Sequence, residues 1–153
     1  MERMRDKAWV PLFVGAIAAI AAVLTPAAMG IYTSKPVYIW LWALNIRSDG
    51  DVWFNMDDIA LAGAVLETGV LAVAIILSLL VAFKIKKGNP LKGVYGILLA
   101  CLIMVVASPV GYIIGAMAWD PWFWMDHVAG FGIIGPFITA GLLIVSFIFL
   151  KKK

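Results

Sequence analysis

Four long apolar stretches constrain this chain more than any other feature. A bilayer core takes about 20 mostly apolar residues per helix, and the runs at about 8–31, 59–83, 91–117 and 128–150 each reach that length. Charged or turn residues bound each run. Hydrophobic residues make up 64% of the 153 residues and charged residues 14%. A soluble domain carries roughly 45–50% apolar and about 25% charged residues, so a water-soluble fold of this size cannot hide so much apolar surface. Disorder needs the opposite composition. Cys101 is the only cysteine, which excludes an intrachain disulfide framework. The expected class is all-α membrane: one integral domain over 1–153, built as a four-helix transmembrane bundle.

Basic residues orient the spans. Arg3, Arg5 and Lys7 lead into the first, Lys84, Lys86, Lys87 and Lys92 lie between the second and third, and Lys151, Lys152 and Lys153 close the chain. Only Lys35 and Arg47 fall on the other side. The positive-inside rule then puts both termini in the cytoplasm. All acids except Glu2 and Asp6 fall on or near the outer side. The formal net charge of +3 is therefore an orientation signal, helped by anionic lipid. Nucleic acid is not an expected partner, because no basic face or aromatic reading platform accompanies the charge. The first span has a basic start and the small residues Ala27 and Ala28, but its apolar run exceeds the roughly 7–15 residues of a signal core. It is expected as a retained helix that also directs insertion.

Small residues predict close helix packing in lipid. The first span has the pairs Gly15/Ala19 and Ala18/Ala22. The second has Ala60, Gly63 and Ala64, and the third has Gly96, Ala100 and the pair Gly111/Gly115. These fit packing within one bundle or a homo-oligomer face. Pro26, Pro109 and Pro136 favour kinks or helix ends, and Pro109 with Gly111 is the candidate hinge.

The first outer loop, about 32–58, holds two runs rich in β-branched and aromatic residues, Val37–Ile46 and Val52–Met56, around Asp49-Gly50. That is a strong hairpin signal. A two-residue turn at Asp49-Gly50 places Ile46 opposite Trp53. Tyr38, Trp40, Trp42, Leu44, Ile46 and Trp53 then share one ribbon face, and Leu41, Ala43, Val52, Phe54 and Met56 the other. The second outer loop, about 118–127, adds Trp119, Trp122 and Trp124, with Asp120 or Asp126 as a helix cap. These tryptophans read either as an interfacial aromatic belt or as a partner-binding surface with Tyr38.

Leu41-Trp42 followed by a hairpin, inside termini, a ribbon-like first outer loop and a short second one together resemble the claudin and peripheral-myelin-protein superfamily of four-span proteins. Trp40 stands where that family has the Gly of its Gly-Leu-Trp motif. Asn45 and Asn55 stand close to its two loop cysteines, so the ribbon disulfide is absent. The resemblance implies a non-enzymatic role in cell-surface packing, adhesion, barriers or service to another membrane protein.

Little in the sequence points to catalysis. His127 is the only histidine, and the serines show no nucleophile-elbow pattern. No cofactor is expected; haem would need two axial ligands, and His127 with Met117 or Met125 is poorly placed. Asp57, Asp58, Asp120, Asp126 and His127 are weak metal candidates, since acids also gather at helix N-termini for the dipole alone. Glu67 is the one acid within a span and is a functional hypothesis by default; Thr68, Tyr112 and Tyr32 are its candidate partners.

Three functions follow. The first is a non-enzymatic membrane protein working through contacts of its aromatic outer face with lipid, a second copy or a membrane protein partner. The second is an accessory subunit of a larger membrane oxidoreductase, monooxygenase or transport complex. The third is proton or cation conduction using Glu67.

Overall fold

The computed structural model describes residues 7–31, 34–54, 58–88 and 92–151, the side chains of 58–63 excepted. The order is α1 (Trp9–Leu24), β1 (Ala28–Gly30), β2 (Val37–Ile39), β3 (Leu44–Arg47), β4 (Val52–Phe54), α2 (Asp58–Lys86), α3 (Val94–Trp119), α4 (Phe123–Asp126), β5 (His127–Ala129) and α5 (Phe131–Lys151). Glu2, Arg3, Arg5, Asp6, Tyr32, Asn55, Met56, Asp57, Lys152 and Lys153, and the side chains of Asp58, Ala60 and Gly63, for which the sequence carries expectations, lie outside the described residues.

The helices α2, α3 and α5 are each long and apolar enough to cross a membrane. The 16-residue α1 is about 24 Å long, shorter than the expected 8–31 span. The proline explains the difference. Pro26 has no N–H, and the residue before a proline is pushed out of the helical region. Thr25 is accordingly extended, and Ala28–Gly30 become a strand. At the fourth span, 127–129 likewise form a strand before the helix begins.

The four long helices pack in a ring, α1 against α2 and α5, and α3 against α2 and α5. The core between them includes Leu12 and Ala19, Leu71 and Val81, Leu98 and Val105, and Leu143. Apolar side chains also cover the outside: Ile17, Leu66, Ile76, Leu80, Leu99, Ile103, Ile114 and Ile148 are exposed. Thr139 donates to the Gly15 carbonyl (2.9 Å) across α1 and α5, and Ser108 donates to the Glu67 carbonyl (3.1 Å) across α3 and α2. Lys86 stacks over Trp9, Lys84 reaches the Lys92 carbonyl, and Tyr95 donates to the Leu150 carbonyl. These contacts gather the basic helix ends at one end of the ring.

The other end carries a five-stranded antiparallel sheet in the order β4-β3-β2-β1-β5. The expected single hairpin is thus two successive hairpins, joined by β1 and β5 to the ends of α1 and α5. The run Val37–Ile46 breaks because Leu41-Trp42-Ala43 form a loop, closed by Trp40 N–H to Leu44 carbonyl (2.8 Å) and Ala43 N–H to Trp40 carbonyl (3.1 Å). Ser48-Asp49-Gly50 repeat the pattern through Arg47 and Asp51. Each is a three-residue loop whose last residue has positive φ, 64° at Ala43 and 100° at Gly50, the type I turn with a left-handed third residue.

The three-residue loop corrects the expected register. Trp53 pairs with Asn45, not with Ile46, whose partner is Val52. A one-residue slip moves a side chain to the opposite face. The sheet face turned to the helices runs Ala129, Ala28, Ile39, Asn45, Trp53; the face turned away runs Val128, Met29, Tyr38, Ile46, Val52.

Candidate functional site

The aromatic residues separate by role. Trp40 and Trp42 lie at the β2–β3 loop, not on a strand face. Their indole N–H groups donate to the carbonyls of Leu24 (3.1 Å) and Val23 (2.9 Å). A helix end leaves its last four carbonyls without intrahelical partners. Thr25 Oγ1 takes that of Ala21 (2.8 Å), so three side chains finish α1 where Pro26 stops it. Trp124 packs edge-on against Phe123 and near Tyr112, and its indole nitrogen is buried without a partner among the described residues. Trp119 and Trp122 are 64% and 67% exposed. Tyr38 is half-buried on the face turned away from the helices.

Between the sheet and the ends of α2 and α3 lies a cavity of about 480 Å³. Its roof is the sheet face bearing Ile39, Asn45 and Trp53, and its floor includes Glu67 of α2 and Tyr112 and Gly115 of α3. Asp120, Phe123 and His127 complete one side. Trp53 and Trp119 line it while remaining exposed, which sets them at its rim. Asn45 is buried and donates to the Ala43 carbonyl (3.2 Å).

Glu67 is half-buried. A Cβ placed on Gly111 would stand 3.1 Å from Glu67 Oε1, so the missing side chain makes room for the carboxylate. Gly111 thus meets α2 through Glu67, whereas among the described residues nothing lies within 4 Å of a Cβ at Gly115 or Gly96. Of the expected partners of Glu67, Tyr112 shares the cavity, whereas Thr68 lines a separate shallow groove with Trp42.

Among the described residues, no three His, Cys, Asp or Glu side chains come together as a metal site. Asp120 accepts from the Trp122 N–H (3.0 Å), closing the turn into α4. His127 stacks flat on Phe123 at 4.1 Å, with Nδ1 3.0 Å from the Phe123 carbonyl. Asp126 is exposed, and its carbonyl accepts from Ile31.

At the sheet's far turn, Asp49 accepts from Lys35 and Arg47, both at 2.8 Å, and Asp51 also pairs with Arg47. Those partners, Lys35 first, hold the Asp49 carboxyl down to about 2. Lys35 and Arg47 are thus both engaged by turn carboxylates.

The sequence points to Glu67, Tyr112, Trp53 and His127 one by one. It does not bring Asn45 and Gly115 to them: Asn45 reads as a strand residue, and Gly115 as helix packing. Compared with known protein families and with curated proteins, this chain matches none.

Proposed function

We propose that this is a four-span, claudin-like integral membrane protein with both termini cytoplasmic, which performs no catalysis and works by presenting its outer sheet to a protein partner, a second copy of the chain first. Support for the membrane reading comes from apolar residues covering the outside of the helices. A short span such as α1 is accommodated by local thinning of the bilayer or by oligomerisation. The basic end of the ring faces the cytoplasm on the positive-inside rule.

The observation that carries the association is the β4 edge. Val52, Trp53 and Phe54 form the last strand of the described sheet, and they are 59%, 41% and 48% exposed. An edge strand offers unpaired N–H and C=O groups to another chain unless charge or proline blunts it. Here the edge is apolar and adjoins the stripe Tyr38, Ile46 and Val52. Strand addition then gives affinity through the main chain and specificity through alternate side chains.

The test is the native mass after gentle extraction, for wild type and for Val52→Lys. Self-association is expected in the wild type and a fall to monomer in the variant, at unchanged melting temperature. A wild-type monomer overturns self-association. Co-migration with larger redox or transport subunits would replace it with the accessory-subunit reading.

A further inference from the structure

We infer that the cavity between the sheet and the ends of α2 and α3 binds an alkylammonium amphiphile, with Glu67 as the counter-charge and aromatic rings around the cationic group. The volume of about 480 Å³ is that of a small-molecule site, and a mostly apolar wall with a few polar groups is the usual lining of one. Among the described residues no lysine or arginine lines it, which disfavours an anion. Inorganic cations lack a ligand set among the described residues. An organic cation needs no such set. The faces of Tyr, Trp and Phe attract ammonium groups, and Trp53, Tyr112 and Trp119 line this space.

Glu67 supplies the specificity. Among the described residues its half-buried carboxylate has no hydrogen-bond or ion-pair partner, and a partly desolvated carboxylate gains from a cationic one. Gly111 leaves it room on α3. Gly115, one helical turn on, lines the cavity, with nothing among the described residues within 4 Å of its missing side chain. Gly111 thus makes room for the carboxylate and Gly115 for the ligand. The apolar wall takes the alkyl chain.

The ammonium group could come from a soluble amine or from a choline-type lipid headgroup. The test uses the full chain in maltoside micelles, with hexyltrimethylammonium as the probe and tryptophan fluorescence as the readout. Saturable binding is expected in the wild type. It should weaken at least tenfold in Glu67→Gln and in Gly115→Leu, which fills the cavity, and stay unchanged in Gly96→Leu, whose added side chain meets open space on the same helix. Gly115→Leu keeps the test decisive should Glu67→Gln fail to fold. Competition by added phosphatidylcholine identifies a lipid headgroup as the source, and no competition identifies a soluble amine. The proposal is overturned by absence of saturable binding, by equal binding to Glu67→Gln, or by n-hexanol binding as tightly as the cation. The mass measurement reads β4 and this one reads the cavity, so each can fail alone.

Discussion

Trp42 illustrates how one side chain can serve a helix end that is remote in sequence. Its indole N–H holds the Val23 carbonyl 19 residues back. Trp42→Phe keeps the ring and removes the donor. A hydrogen bond of this kind contributes about 1 kcal/mol, more when the orphaned group is dry. We expect about that loss in the unfolding free energy, and less for Trp40→Phe, whose bond is exposed; equal, negligible losses would show that water replaces both. Asp49 offers a pH test. Its carboxyl is held at about 2, below its ordinary 3.8. A depressed carboxylate contributes stability that is present above the unfolded value and is lost as pH falls through the folded one. The window is therefore from about pH 4 down to about 2. The wild type should lose more melting temperature across it than Asp49→Asn, by a small margin because the pair is exposed. Parallel loss in both would remove the turn ion pairs from the stability of the sheet.

Packing between elements turns on glycines that the repeat pattern does not single out. The small-residue face of α1 packs within the bundle, against α5, with Gly15, Ala16, Ala19 and Ala22 buried and Ala18 half-buried. The decisive partners on α5 are Gly132 and Gly135. A Cβ on Gly132 would lie 2.7 Å from Ala27 Cα, and one on Gly135 would lie 2.7 Å from Ala22 Cβ. Gly132→Ala should therefore cost about 1–3 kcal/mol, the usual penalty of overpacking. Gly96→Ala should be neutral or gain up to about 1 kcal/mol from helix propensity. A thermal melt of the two variants decides the point, and matching midpoints would deny the close contact. The hairpin shows the converse limit. Asp49-Gly50 marks the turn correctly, but the dipeptide fits both a two-residue and a three-residue loop. The register, and with it the face of Trp53, depends on which is used.

At the scale of the whole molecule, apolar cover on the outside and basic helix ends opposite the sheet give a topology prediction. The native Cys101 is buried and leaves a quiet background for labelling. Ser48→Cys, in the β3–β4 turn, should react with a membrane-impermeant thiol reagent in intact cells. Lys87→Cys, after α2, should react only once the membrane is opened. The reverse pattern would invert the protein, and labelling of both would end the single orientation.

Composition and charge order are properties of the chain itself, so the sequence determined that the protein is mostly apolar helix and which ends carry the lysines. The hairpin turn and the lone acid Glu67 were legible for the same reason: each is a local signal. Where α1 stops was local too, written in Thr25-Pro26, although the run of apolar residues masks it. The tertiary structure alone decided that β1 and β5 close the sheet, that Trp40 and Trp42 finish α1, and that Glu67, Asn45, Gly115 and Trp53 surround one cavity. Those outcomes depend on backbone hydrogen bonds and steric fit between segments up to about a hundred residues apart, Ala28 with Ala129 among them, and no periodicity within either segment encodes the other.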